Sequence, residues 1–119
     1  PSGYPVFGNI SSGFGFRRRE FHTGIDIRAG VGTPVRATAN GIVSYAGWKG
    51  GYGLTVIIRH NFGFSTLYAH LSRLSVGIGK RIERGDIIGY TGTTGYTTGP
   101  HLHYEVRVND RPVNPKDYL

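Results

Sequence analysis

His101-Leu102-His103-Tyr104-Glu105-Val106-Arg107-Val108 decides how this chain is read. Side chains alternate across a strand, so one face carries Leu102, Tyr104, Val106 and Val108 and suits a core. The other carries His101, His103, Glu105 and Arg107. The two imidazoles then stand roughly 6–7 Å apart at Cβ, by the strand rise. That is too far for stacking but places them to converge on one ion or one water.

Two more segments behave alike. In Phe21-His22-Thr23-Gly24-Ile25-Asp26-Ile27, extended backbone puts His22, Gly24 and Asp26 on one face and Phe21, Thr23, Ile25 and Ile27 on the other. Gly24, between the polar groups, leaves room for a close approach. In Thr66-Leu67-Tyr68-Ala69-His70-Leu71, the alternation turns Leu67, Ala69 and Leu71 inward and Thr66, Tyr68 and His70 the other way. His60 falls in phase with Leu54, Val56 and Ile58 and reads as a structural histidine at a strand end.

Glycine, 20 residues in all, punctuates short β-branched and aromatic runs along the whole chain. No run sustains a 3.6-residue period. Many short strands with glycine turns predict an all-β fold, a sandwich or barrel with little helix. One helical turn is expected at Ser72–Val76, capped by Ser72. Gly32–Val43 reads as two short strands about an Asn40-Gly41 turn, and Gly79–Gly89 repeats the scheme about Gly85-Asp86. Two such hairpins suggest related halves.

The length, 119 residues, is that of one domain, here 1–119, with 1–10 as an N-terminal extension. The absence of cysteine excludes a disulfide framework, a Cys zinc site and a thiol nucleophile. No apolar run approaches the roughly 18 residues of a membrane span. The chain begins at Pro1 without Met and is expected to be an excised mature piece. A formal charge of +7 favours polyanionic partners such as nucleic acid, anionic membrane or cell-wall polymers.

If the strands meet, His22, Asp26, His70, His101 and His103 supply two histidines and an aspartate for a metal, with two histidines to spare. Zinc takes N and O ligands, and a catalytic zinc keeps three protein ligands and an open position. Free imidazoles titrate near neutral pH and can pass protons.

At this point the residues resemble a known family. His22-x-x-x-Asp26, His70 within Leu67–Leu71, and His101-x-His103 within Thr98–Val106 together resemble the lysostaphin-like (LytM-type) zinc metalloendopeptidases that cut peptidoglycan. The resemblance runs from about Ser11 to Leu119 and takes in Gly32-Thr33-Pro34-Val35 and Gly41-Ile42-Val43. It implies one Zn²⁺ per chain on His22, Asp26 and His103, with His70 and His101 as the unliganded catalytic pair. It further implies an antiparallel fold on a duplicated hybrid motif, a bacterial periplasmic or cell-wall location, and peptidoglycan as partner. A monomer is expected. Family members that act only as amidase activators have lost zinc ligands, whereas this chain keeps all of them. Some Gram-positive members place a tyrosine about six residues before the first zinc histidine, and here that position is Phe16. Tyr68 or Tyr96, or Arg17 or Arg18 of the basic run Arg17–Arg19, would stand in at the substrate. The run Gly92–Gly99, with Thr94 and Tyr96, would wall a groove for an extended peptide.

Three other readings compete. A wall-binding or activator module would share the fold without chemistry. A phosphoryl carrier also pairs histidines but has no use for Asp26. Nucleic-acid binding is suggested by charge alone, since no recognised nucleic-acid motif is present.

Overall fold

The computed structural model describes residues 1–18 and 20–119. Arg19, part of the basic run, lies outside the described residues. The described residues form twelve short strands: β1 (Asn9–Ser12), β2 (Gly15–Arg17), β3 (Glu20–His22), β4 (Ile25–Arg28), β5 (Pro34–Arg36) and β6 (Gly41–Trp48), then β7 (Leu54–Arg59), β8 (Phe64–Leu74), β9 (Arg81–Ile82), β10 (Ile87–Thr91), β11 (His101–Val108) and β12 (Arg111–Val113). Every pairing is antiparallel. The main sheet runs β1-β4-β11-β8-β7-β6-β9, with β10 bridging β5 and β8; β2 and β3 form a separate ribbon. The all-β antiparallel expectation holds.

The core sits on one face of this sheet. Ile25 and Ile27 of β4, Val56 and Ile58 of β7, Tyr68 of β8, and Leu102, Tyr104 and Val106 of β11 are at most 1% exposed. Full burial of each such aliphatic side chain is worth about 1.5–3 kcal/mol. The register explains the selection: Ile25 faces Tyr104, Ile27 faces Leu102, and Tyr104 faces Tyr68. Both tyrosine hydroxyls reach Thr38, so neither is buried without a partner.

Two local expectations are corrected. Ser72–Val76 is not a helical turn, because β8 continues through Ser72 to Leu74 and pairs with β10. The only helical pieces among the described residues are 3₁₀ turns at Gly50–Tyr52 and Pro115–Tyr118. The two glycine-turn segments do not close on themselves: β5 pairs with β10 and β6 with β9, so the segments exchange strands. Residues 1–10 pack onto the rest of the domain. Val6 is buried in the core, β1 begins at Asn9 against β4, and Gly3 N–H donates to the Tyr118 carbonyl.

Candidate metal centre and active site

The second face of the sheet carries the polar cluster. Asp26 on β4 is directly across from His103 on β11, and Arg28 from His101. Alternation therefore delivers Asp26, His103 and His101 to one side and Ile27 and Leu102 to the core. Side chains of His22 and Asp26 keep 12% and 19% exposure, and that of His103 only 7%. His22 arrives from the neighbouring ribbon, where β3 ends.

Each histidine is held by one nitrogen and offers the other. His22 Nδ1 donates to the Gly13 carbonyl at 2.7 Å, leaving Nε2 at 3.3 Å from Asp26 Oδ1. His103 Nε2 donates to Glu105 Oε2 at 2.8 Å, leaving Nδ1 at 2.9 Å from Asp26 Oδ1. His70 Nδ1 donates to the Thr94 carbonyl at 2.7 Å, and His101 Nδ1 to the Gly99 carbonyl at 2.9 Å. Such outer hydrogen bonds fix the tautomer and aim of metal-binding imidazoles. One ligand atom from each of His22, Asp26 and His103 lies within 4.8 Å of the others. Tetrahedral zinc with bonds near 2.0 Å needs ligand atoms about 3.3 Å apart. The spacings of 3.3 and 2.9 Å fit that need. The donor set, two imidazole nitrogens and one carboxylate oxygen, fits zinc as well.

Behind His103 stands Glu105, fully buried. Its Oε2 also accepts from Thr23 Oγ1 and the Tyr52 hydroxyl, each at 2.7 Å, and its Oε1 from Arg107. Burial pushes the Glu105 carboxyl up, but the hydrogen bonds from His103, Thr23 and Tyr52 outweigh it and bring it down to about 2. Burial pulls His103 down, yet hydrogen bonds and charge from Asp26 and Glu105 carry it up to about 9. Burial would likewise raise Asp26, but the His103 hydrogen bond and the three surrounding imidazoles hold it below its ordinary value. Burial dominates at His70 and keeps its imidazole below its ordinary value.

The expected residues divide. His22, Asp26, His70, His101 and His103 line one cleft, together with Arg17 and Tyr96. Tyr96, 89% exposed, lies along Gly51 at the rim. Tyr68 is corrected: paired with Tyr104, it falls on the core face and is fully buried. Thr94 does not face a peptide with its hydroxyl, which accepts from Leu54 N–H and donates to the Leu71 carbonyl. Its backbone instead orients His70. Arg18 is exposed and does not line the cleft.

His70 itself breaks the alternation. A regular β8 would send it to the core beside Tyr68. It adopts φ 61°, in the left-handed region, where the pairing to β7 and β10 slips, and so turns toward His101, whose ring centroid is 5.0 Å away. Thr23 was placed with Phe21 and Ile25; the break between β3 and β4 turns it to Glu105 instead. Tyr52 was missed. It reaches the site from the Gly50–Tyr52 turn, and no spacing in the sequence marks it. His60 is held by the Asn40 carbonyl and the Thr66 hydroxyl, far from this cluster in role.

Comparison with known proteins accords with this geometry. Residues 20–115 match the model of Peptidase family M23. The DD-carboxypeptidase/endopeptidase Mpg of Neisseria meningitidis is 53% identical over 116 residues, covering 92% of this chain and 27% of that protein. The peptidoglycan DD-endopeptidase ShyC of Vibrio cholerae is 41% identical over 117 residues, again 92% of this chain and 27% of that protein. A crystal structure of a zinc containing peptidase from Vibrio cholerae matches with a TM-score of 0.89 and 37% identity, over 93% of this chain and 37% of that one. This chain thus spans only 27% of the length of these curated relatives. The matched stretch holds every histidine and the aspartate of the cluster, and the chain belongs to peptidase family M23, the lysostaphin-like metallopeptidases.

Proposed function

We propose that residues 1–119 form one metallopeptidase domain that binds a single Zn²⁺ through His22, Asp26 and His103. It hydrolyses amide bonds in the stem peptides or cross-bridges of peptidoglycan, in the periplasm or at the cell wall. The observation that carries this is the set of imidazoles, each anchored through one nitrogen and presenting the other to a common point. An ion held there would act as a Lewis acid toward the scissile carbonyl and make hydroxide available near neutral pH.

The protein's own groups account for the rest. Neutral His70, with Nδ1–H given to Thr94, keeps a lone pair on Nε2. His101 is arranged alike, its Nδ1–H given to Gly99. One of the pair takes the proton from the attacking water at its Nε2 and returns it to the leaving amine, while the other donates to the developing oxyanion only when its Nε2 also carries a proton. Glu105, tethered by Thr23, Tyr52 and Arg107, keeps His103 aimed at Asp26. Arg17 and Tyr96 flank the cleft where an extended peptide would lie. Support for peptidoglycan as substrate comes from relatives named for it, such as ShyC.

Metal analysis and wall digestion test the proposal. Purified protein should carry about one zinc per chain and release wall fragments whose new termini identify the bond cut. A chelator or His103→Ala should lower release by about 10²-fold or more, as expected where the metal supplies the activation. Undiminished release from His103→Ala would remove His103 from the ligand set. Zinc bound without any cleavage would favour the wall-binding module.

A further inference from the structure

The turn Gly50–Tyr52 touches the metal cluster on one side and loop 92–99, at the rim of the cleft, on the other. Resting on the peptidase reading above, we infer that Tyr52 is a positioning residue. It ties the metal ligand His103 to the same glycine clamp that holds His70, so that the packing of loop 92–99 sets how firmly the metal is bound.

The turn is closed by its own backbone. Tyr52 N–H donates to the Lys49 carbonyl at 3.0 Å, Gly53 N–H to that of Gly50 at 3.1 Å, and Lys49 N–H to that of Gly53 at 2.9 Å. Toward the cluster, the Tyr52 hydroxyl donates at 2.7 Å to Glu105 Oε2, the oxygen that also takes His103 Nε2–H. The Tyr52 and His103 ring centroids are 5.5 Å apart. Toward the loop, the Gly51 carbonyl accepts from Tyr96 N–H at 2.8 Å, and Leu54 N–H donates to Thr94 Oγ1 at 3.0 Å. Gly95 lies so close that an added Cβ would stand 2.4 Å from the Gly51 carbonyl oxygen and 2.5 Å from Gly53 N. Contacts this tight pass a displacement on, because packed protein has little compressibility. The same loop offers the Thr94 carbonyl to His70 Nδ1–H at 2.7 Å. Turn and loop therefore hold His70 directly and His103 through Tyr52 and Glu105, with the two imidazole centroids 6.1 Å apart. The other donors to Glu105 make no such link, since Thr23 comes from the break between β3 and β4 and Arg107 from β11 itself. Hydrogen bonds behind a ligating histidine govern its metal affinity, and here one of them is anchored in the loop across the cleft.

The experiment is a double-mutant cycle read by competitive zinc titration, with no substrate present. Tyr52→Phe keeps the ring, removes the hydroxyl, and should weaken zinc binding by about 10- to 100-fold, as loss of such a partner does. Gly95→Ala touches no ligand, yet should weaken it by about 2- to 30-fold through the turn. In Tyr52→Phe that second effect should vanish. In Thr23→Ala, which removes a donor to the same oxygen from outside the clamp, it should persist in full. Gly95→Asn, which tolerates the left-handed φ of 77° but keeps the clash, replaces the alanine variant should that one fail to fold. Unchanged zinc affinity in Tyr52→Phe or in the Gly95 variant would overturn the inference. So would a Gly95 effect that adds in full to Tyr52→Phe, or one that is lost equally in Thr23→Ala. Its failure is separable from that of the peptidase reading. An additive cycle in a protein that digests wall removes only the role of Tyr52, whereas a protein that shows the coupling and cuts nothing removes only the peptidase.

Discussion

At the scale of the residue, His70 carries the most information. Its φ of 61° places a β-extended chain in a conformation that costs a non-glycine residue about 1–2 kcal/mol. The strand tolerates this cost because the slip in β8 is what sends the imidazole to the Thr94 carbonyl and to His101. Strain of this kind concentrates at functional sites. His70→Gly and His70→Ala separate backbone from side chain. Both should lose wall hydrolysis, but the glycine variant should be the more stable by about 1 kcal/mol in urea unfolding, since only glycine takes this backbone without penalty. Equal stabilities would show that the left-handed turn stores no strain.

At the scale of the element, the link between β3 and β4 determines whether the site assembles. Gly24 lies against β11 so closely that an added Cβ would stand 2.3 Å from the Tyr104 carbonyl oxygen and 2.9 Å from Glu105 Cγ. The room that alternation left for a close approach is filled by the protein's own backbone. Gly24→Ala must push β4 from β11, and overpacking of this kind costs about 1–3 kcal/mol. Because Asp26 pairs with His103 across the same two strands, zinc affinity should fall along with stability. Thermal unfolding and a competitive zinc titration measure the two effects. A variant with normal zinc affinity and lowered stability would uncouple this contact from the site.

At the scale of the whole molecule, metal binding and folding should be linked through protons. In chelated protein, the raised His103 contributes stability that is complete below its ordinary 6.5 and is lost as pH rises through about 9. The lowered Glu105 contributes stability that is complete above its ordinary 4.5 and is lost as pH falls through about 2. Chelated protein should therefore lose stability between pH 6.5 and 9. Zinc must displace the proton on His103 Nδ1, so its affinity should rise over that window, by about tenfold per pH unit for one proton displaced. At a fixed zinc concentration the shift in Tm should accordingly grow as pH rises, and where zinc stands at a hundredfold excess over Kd the stabilisation is about 2.7 kcal/mol. Scanning calorimetry with and without chelator reads both slopes. A zinc-induced shift independent of pH would show that His103 gives up no proton on binding.

Much of the site could be read from the sequence because period two is a local property. Once His101 and His103 alternate with Leu102 and Tyr104, one face of β11 is polar and the other is core, whatever the strand pairs with. Asp26 beside Ile25 and Ile27 follows by the same reasoning. The all-β class was legible for a related reason, since closely spaced glycines leave no stretch long enough for a helix. Tertiary structure alone decided where that regularity fails. The left-handed turn at His70, the break that swings Thr23 to Glu105, and the burial of Tyr68 depend on pairing between strands distant in the chain. So do the arrival of Tyr52 and the exchange of β5 and β6 with β9 and β10. Register across strands is set by the summed packing of both sheet faces, and no local pattern contains that sum.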